Sequence, residues 1–125
     1  AGLMVIRCSG GARFHIRSRK QLKHGLWVAE VDLLAPDQPI AIPPDLQPYA
    51  NALARLLAPA PDSPSPLELP PVEQPWRLDD CGWVANRWCD LLAMPSAQKQ
   101  SLLQLDSPLL RLELVGDLLT QRSMP

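Results

Sequence analysis

Two hydrophobic periods divide this chain. Through the first third, apolar and polar residues alternate, which is the period of a half-buried strand. Arg13-Phe14-His15-Ile16-Arg17 puts Phe14 and Ile16 on one face and His15 and Arg17 on the other. From Leu26 to Leu33, residues Trp27, Ala29, Val31 and Leu33 lie opposite Leu26, Val28 and Glu30. Lys23-His24-Gly25 supplies a turn between these two runs, and Ser9-Gly10-Gly11 marks an earlier one. Upstream of that earlier turn, Leu3-Met4-Val5-Ile6 reads as a further short strand. The pattern predicts three strands in an antiparallel meander, which needs a cover over one face.

Beyond residue 36 the period becomes helical. After a proline-studded connection, a helix is expected to begin near Pro48, where proline fits a first turn, and to end by Pro59. Tyr49, Leu53, Leu56 and Leu57 mark its apolar face. Seven prolines fall from Pro59 to Pro75 inclusive, which predicts an extended linker over residues 59–77. Three helices follow. Asp79 or Asp80 can cap the first, which runs to about Leu92. The second opens at Pro95-Ser96 and runs to about Leu105. The third is capped by Asp106 or Ser107, carries Pro108 in its first turn and reaches about Gln121. The segments are thus 1–35 for the strands, 36–58 for the connection and first helix, 59–77 for the linker and 78–125 for the final helices.

Composition narrows the function classes. Of 125 residues, 46% are hydrophobic and 20% charged, enough for a packed core. A net charge of -1 gives no long-range field to attract nucleic acid or an anionic membrane. No apolar run is long enough to span a membrane, and no signal-peptide layout opens the chain. Three cysteines, Cys8, Cys81 and Cys89, fit a reduced cytoplasmic setting better than a secreted disulfide framework. The chain begins Ala1-Gly2 without an initiator Met and enters an apolar run at once, which suggests a fragment or processed product.

The last third carries a family likeness. The stretch from Leu78 through Trp83-Val84-Ala85-Asn86-Arg87-Trp88 to Leu92 resembles the helix after the long connection in stand-alone Lon substrate-binding-domain proteins of proteobacteria. Lys99-Gln100-Ser101-Leu102-Leu103-Gln104-Leu105-Asp106 is similar to that family's "KQ-x-LL-x-x-D" segment, and Arg111-Leu112 to the "RL" start of its closing helix. Gly10-Gly11-Ala12-Arg13-Phe14 resembles its "G-x-x-R" strand. The family's opening "PLFPL" strand and further strands are not in this sequence, nor are the ATPase and Ser-Lys protease domains of full-length Lon. The resemblance implies an α+β fold: a truncated antiparallel β-meander, the end of a PUA-like β-domain, followed by a C-terminal helical bundle. It also implies a non-catalytic module that holds unfolded or damaged polypeptide for quality control, with an ATP-dependent protease as a possible partner. No cofactor is expected. The missing strands would leave an open edge, through which self-association is expected.

Individual residues sharpen this reading. On the helix from Cys81, residues Val84, Ala85, Trp88, Leu91 and Leu92 share the apolar side, so Trp88 is structural. Trp83 lies opposite with Asn86, Arg87 and Asp90. It either packs on the strand layer or linker or anchors a ligand, with Arg87 one turn on able to stack over its ring. The candidate polypeptide-binding residues are Trp83, Arg87, Trp76 and Trp27. Arg111 projects from the apolar arc of the last helix and needs a carboxylate, Asp79 or Asp80 being expected. Gly116 in the same helix is expected to admit a neighbouring helix closely. Ser96-Ala97-Gln98-Lys99 matches S-x-x-K acyl-enzyme spacing, but the companion motifs are missing and Ser96 fits a helix cap. Four convergent metal ligands with paired spacing do not occur, so Cys81 and Cys89 are expected in the core. The cluster Arg17-Ser18-Arg19-Lys20, with Lys23 and His24, keeps an RNA-binding PUA-like module as the alternative. No aromatic residues interleave those charges, which favours a solvated strand end.

Overall fold

A computed structural model describes residues 2–58 and 75–122. The chain divides into two compact units, Ala1–Pro36 and Asp37–Pro125.

The first unit is a hairpin of β1 (Phe14–Gln21) and β2 (Trp27–Leu33), paired antiparallel. Its turn closes with Leu22 N–H donating to Leu26 O at 2.7 Å and Gly25 N–H to Leu22 O at 2.9 Å. Gly25 takes φ 94°, a conformation that a Cβ would strain, which explains glycine there. Register passes from Ile16↔Val31 to Ser18↔Glu30, so Arg17 is the extra residue of a β-bulge. The bulge resets the alternation. Arg19 then pairs with Ala29 and Gln21 with Trp27, on the face that also carries Phe14, Ile16, Val31 and Leu33.

The expected strand at residues 3–6 is not formed. Those four residues are exposed and have no partner strand among the described residues, whereas β1 and β2 carry matching alternation over eight and seven residues. The three-stranded meander is therefore corrected to a two-stranded sheet. The α+β class stands, with this sheet and four helices.

The second unit holds those helices: α1 (Gln47–Leu57), α2 (Cys81–Leu91), α3 (Ser96–Leu103) and α4 (Pro108–Gln121). Pro48 occupies the first turn of α1 and Pro108 that of α4, where the missing N–H costs nothing. Ser107 caps α4, its Oγ accepting from Leu110 N–H at 3.2 Å. Asp80 caps α2, accepting from Trp83 N–H at 3.4 Å. Ser96 does not cap α3. It is the first helical residue, Pro95 takes the cap position, and no side chain closes that end. The Pro95 carbonyl accepts from Gln98 and Lys99 N–H instead. Most of the expected proline-rich linker, residues 59–74, lies outside the described residues.

The core gathers Leu46, Ala50 and Leu53 from the start of α1, Cys81, Val84, Ala85 and Trp88 from α2, Leu102 from α3, and Leu112, Val115 and Leu119 from α4. These are the apolar positions that helical periodicity brings to one side of each element. The Trp88 indole N–H donates to Tyr49 O at 3.0 Å, so the buried ring has its polar edge satisfied. At Gly116 a Cβ would lie 2.5 Å from Tyr49 Cε2, so glycine here lets the α1 ring seat against α4. The Tyr49 hydroxyl then reaches Thr120 Oγ1 at 3.0 Å. The segment before α1 is stitched to the start of α2: Ile40 N–H donates to Asp80 Oδ1 at 3.0 Å and Cys81 N–H to Ile40 O at 2.9 Å.

Candidate functional site

The polar side of α2 carries an aromatic–cation pair. Asp80 fixes the start of the helix, and Trp83 follows one turn in. Trp83 is half-buried, its ring packed on the helical core, and Arg87 lies over it at 5.5 Å from the ring centroid. Arg87 Nε sits 3.1 Å from Asp90 Oδ2, an ion pair whose N–H is poorly aimed for a hydrogen bond. Asp90 and the Trp83 ring therefore hold the guanidinium from two sides. The result is a partly open aromatic–cation pair, suited to an apolar or aromatic side chain with nearby carbonyls. Trp76 is also half-buried, just ahead of α2.

Trp27 belongs to the first unit, on the exposed apolar face of the hairpin, with Arg19 5.8 Å from its ring centroid. Sequence spacing misses this stack, because only the bulge at Arg17 turns Arg19 onto the Trp27 face. The basic cluster is also less available than its sequence suggests. Arg17 pairs with Asp32 at 3.1 Å and Arg19 is taken by Trp27. Arg17 to Lys20 lie within β1, and Lys23 and His24 lie in the turn that follows it.

Arg111 is the structural hub of the second unit. It is 0% exposed. Its Nε donates to Leu102 O at 3.0 Å and its Nη2 to Leu105 O at 2.5 Å, closing the C-terminal end of α3. Its Nη1 donates to Asp37 Oδ2 at 2.6 Å, with Asn86 Oδ1 at 3.5 Å. The expected carboxylate was Asp79 or Asp80, and the structure corrects this to Asp37. Asp79 is exposed, and Asp80 is occupied by its own helix, by Ile40 N–H and by Arg77 at 3.7 Å. Asp37 is 74 residues away in sequence, and no local signal marks it.

The three cysteines are free. Burial pushes the Cys81 thiol above its ordinary pKa, with the Asp80 carboxylate adding to the shift. Burial does the same at Cys89, reinforced by Asp90. Cys81 lies in the core and Cys89 is half-buried against it, and burial disfavours the thiolate of each. Among the described residues no cluster of His, Cys, Asp or Glu could hold a metal, and no helix is long and apolar enough to cross a membrane.

No protein-family model matches this sequence, and no curated protein matches it. Among solved structures, a Lon N-terminal domain protein from Xanthomonas campestris is similar at 30% identity with a TM-score of 0.65. The match covers 85% of this chain and 52% of that one. The fold is Lon N-terminal-like. At 85% coverage the likeness extends beyond either unit alone. This Lon N-terminal-like chain spans about half the length of the relative it matches.

Proposed function

We propose that this chain is a non-catalytic polypeptide-binding module, acting on exposed apolar segments of unfolded or damaged proteins in bacterial protein quality control. The likeness to a Lon N-terminal domain protein carries the reading. The half-buried Trp83 under Arg87 supports it, because an ordered aromatic with a cation beside it can take an apolar side chain and a peptide carbonyl together. Trp76 extends the aromatic contacts of the helical unit, and Trp27 offers a separate contact on the hairpin. Among the described residues the outer edges of the hairpin have no third strand, and such edges can take an extended client by backbone pairing. Self-association through the same open edge would compete with the client for those backbone groups. An ATP-dependent protease is the partner that would complete such a system. Three unpaired cysteines support a cytoplasmic setting.

The test is fluorescence anisotropy of a labelled, permanently unfolded protein titrated with the full chain, at low and high salt. Binding that changes little with salt, and weakens about tenfold or more in Trp83→Ala, is expected. No binding, or binding only of a short RNA with steep salt dependence, overturns the reading.

A further inference from the structure

We propose that Arg87 is a carboxylate clamp and that the segments this module takes are chain ends. The terminal carboxylate sits on the Arg87 fork, and the last apolar side chain lies against Trp83. This rests on the polypeptide-binding reading and names the class of segment that the Trp83 site selects. The donors of Arg87 are unequally used. Its Nε is buried and faces Asp90 Oδ2 at 3.1 Å without a hydrogen bond. Among the described residues nothing accepts from Nη1 or Nη2, and both remain accessible. They are the open end of a group otherwise laid on the Trp83 ring. A planar guanidinium whose terminal N–H groups lie side by side fits the two oxygens of one carboxylate. A peptide carbonyl offers one oxygen and no charge, which leaves half of that fork unused.

Asp90 is a weak partner for this cation. It faces Nε and leaves the fork free. It sits in the last turn of α2, where the helix dipole disfavours a carboxylate. It also follows its arginine in sequence, the less favourable order for a helical ion pair. Its side chain is 67% exposed, so water screens the pair. Asp80, at the start of the same helix, does not compete, because its oxygens take Ile40 N–H, Trp83 N–H and Arg77. Arg87 thus keeps charge to offer a second carboxylate.

Trp83 decides which carboxylate fits. In the last residue of a chain, the carboxylate and the side chain branch from one Cα. A carboxylate on Nη1 and Nη2 therefore brings that side chain to the indole beside Arg87, whose guanidinium carbon is 5.5 Å from the ring centroid. An internal Asp or Glu spends its side chain on the carboxylate, and the apolar group must then come from another residue across the backbone. Trp83 is half-buried, so the open part of its ring takes one apolar side chain rather than a long apolar stretch.

The experiment is fluorescence anisotropy of three labelled peptides titrated with the full chain. One ends in Phe with a free carboxylate, the second is its C-terminal amide, and the third is the amide with Glu before the Phe. The free acid is expected to bind at least about threefold tighter than either amide. Arg87→Gln is expected to bind acid and amide alike. Asp90→Asn removes the competing carboxylate and is expected to widen the acid-over-amide ratio about twofold or more. The Trp88 indole N–H resonance, from a ring held on Tyr49 O, reports that each variant is folded. Where Arg87→Gln loses it, the peptide comparison on the unmodified chain and on Asp90→Asn decides. Equal binding of acid and amide by the unmodified chain overturns the clamp and leaves the polypeptide-binding reading standing. A Glu-bearing amide as tight as the free acid overturns the assignment to chain ends. Binding of a permanently unfolded protein but of none of these peptides overturns the clamp too, and binding of neither overturns both readings.

Discussion

Replacing Arg111 by Ala is expected to unfold much of the helical unit's margin of stability while leaving polypeptide affinity nearly unchanged. The guanidinium is fully buried and closes the carbonyls of Leu102 and Leu105 while pairing with Asp37 at 2.6 Å. Its removal takes a donor from two carbonyl groups and the buried cation from a carboxylate, and leaves a cavity. Breaking a buried ion pair from one side costs about 3–5 kcal/mol, and the Asp37 side chain, 17% exposed, recovers only part of its hydration. A loss of about 4 kcal/mol is a large share of the roughly 5–15 kcal/mol typical of a domain. The assay is urea unfolding followed by far-UV circular dichroism on Arg111→Ala, Asp37→Ala and the double variant. The double variant should lose about 2 kcal/mol less than the sum of the single losses, because each single variant breaks the same ion pair. A loss under about 1 kcal/mol for Arg111→Ala, or strict additivity, refutes the hub.

Other outcomes follow from single contacts. Gly116→Ala should destabilise by about 1–3 kcal/mol despite alanine's better helix propensity, since the new methyl meets the Tyr49 ring. Thermal melts check this, and Tyr49→Ala in the same chain should recover part of the loss. Asp80→Ala removes both the α2 cap and the acceptor for Ile40 N–H, and chemical denaturation should show about 1–3 kcal/mol lost. The raised thiols of Cys81 and Cys89 give a pH dependence. Unfolded thiols ionise near 9.0 and the folded ones only above it, so stability is complete below that value and falls as pH rises through it. Melts from pH 8 to 10 should show this fall, reduced in a Cys81→Ala, Cys89→Ala double variant.

Much of the helical unit is legible in the sequence because its determinants are local. Asp80 and Ser107 cap the helices they precede, and Pro48 and Pro108 sit in first turns. The apolar side of α2 with Trp88 inward and Trp83 outward is a matter of periodicity, and so is the reach of Arg87 back over Trp83. What sequence does not carry is any contact set by distant parts of the chain. Asp37 becomes the partner of Arg111 through tertiary placement, because Asp80 is already engaged. Gly116 signals a close approach, but only packing identifies Tyr49 as what approaches. In the hairpin, alternation gives both faces correctly up to Ile16, and the bulge at Arg17 then exchanges them for Arg19 and Gln21. Residues 3–6 have the composition of a strand but no partner among the described residues, and backbone pairing rather than composition makes a strand.

The most direct measurement of the central claim is chemical-shift mapping of the isotopically labelled chain titrated with a permanently unfolded polypeptide. The account predicts saturable shifts centred on the Trp83 indole N–H, the Arg87 guanidinium and Trp76. The Trp88 indole, held on Tyr49 O, should stay fixed. Shifts confined to Arg17, Arg19 and Lys20, or none at all, would contradict it.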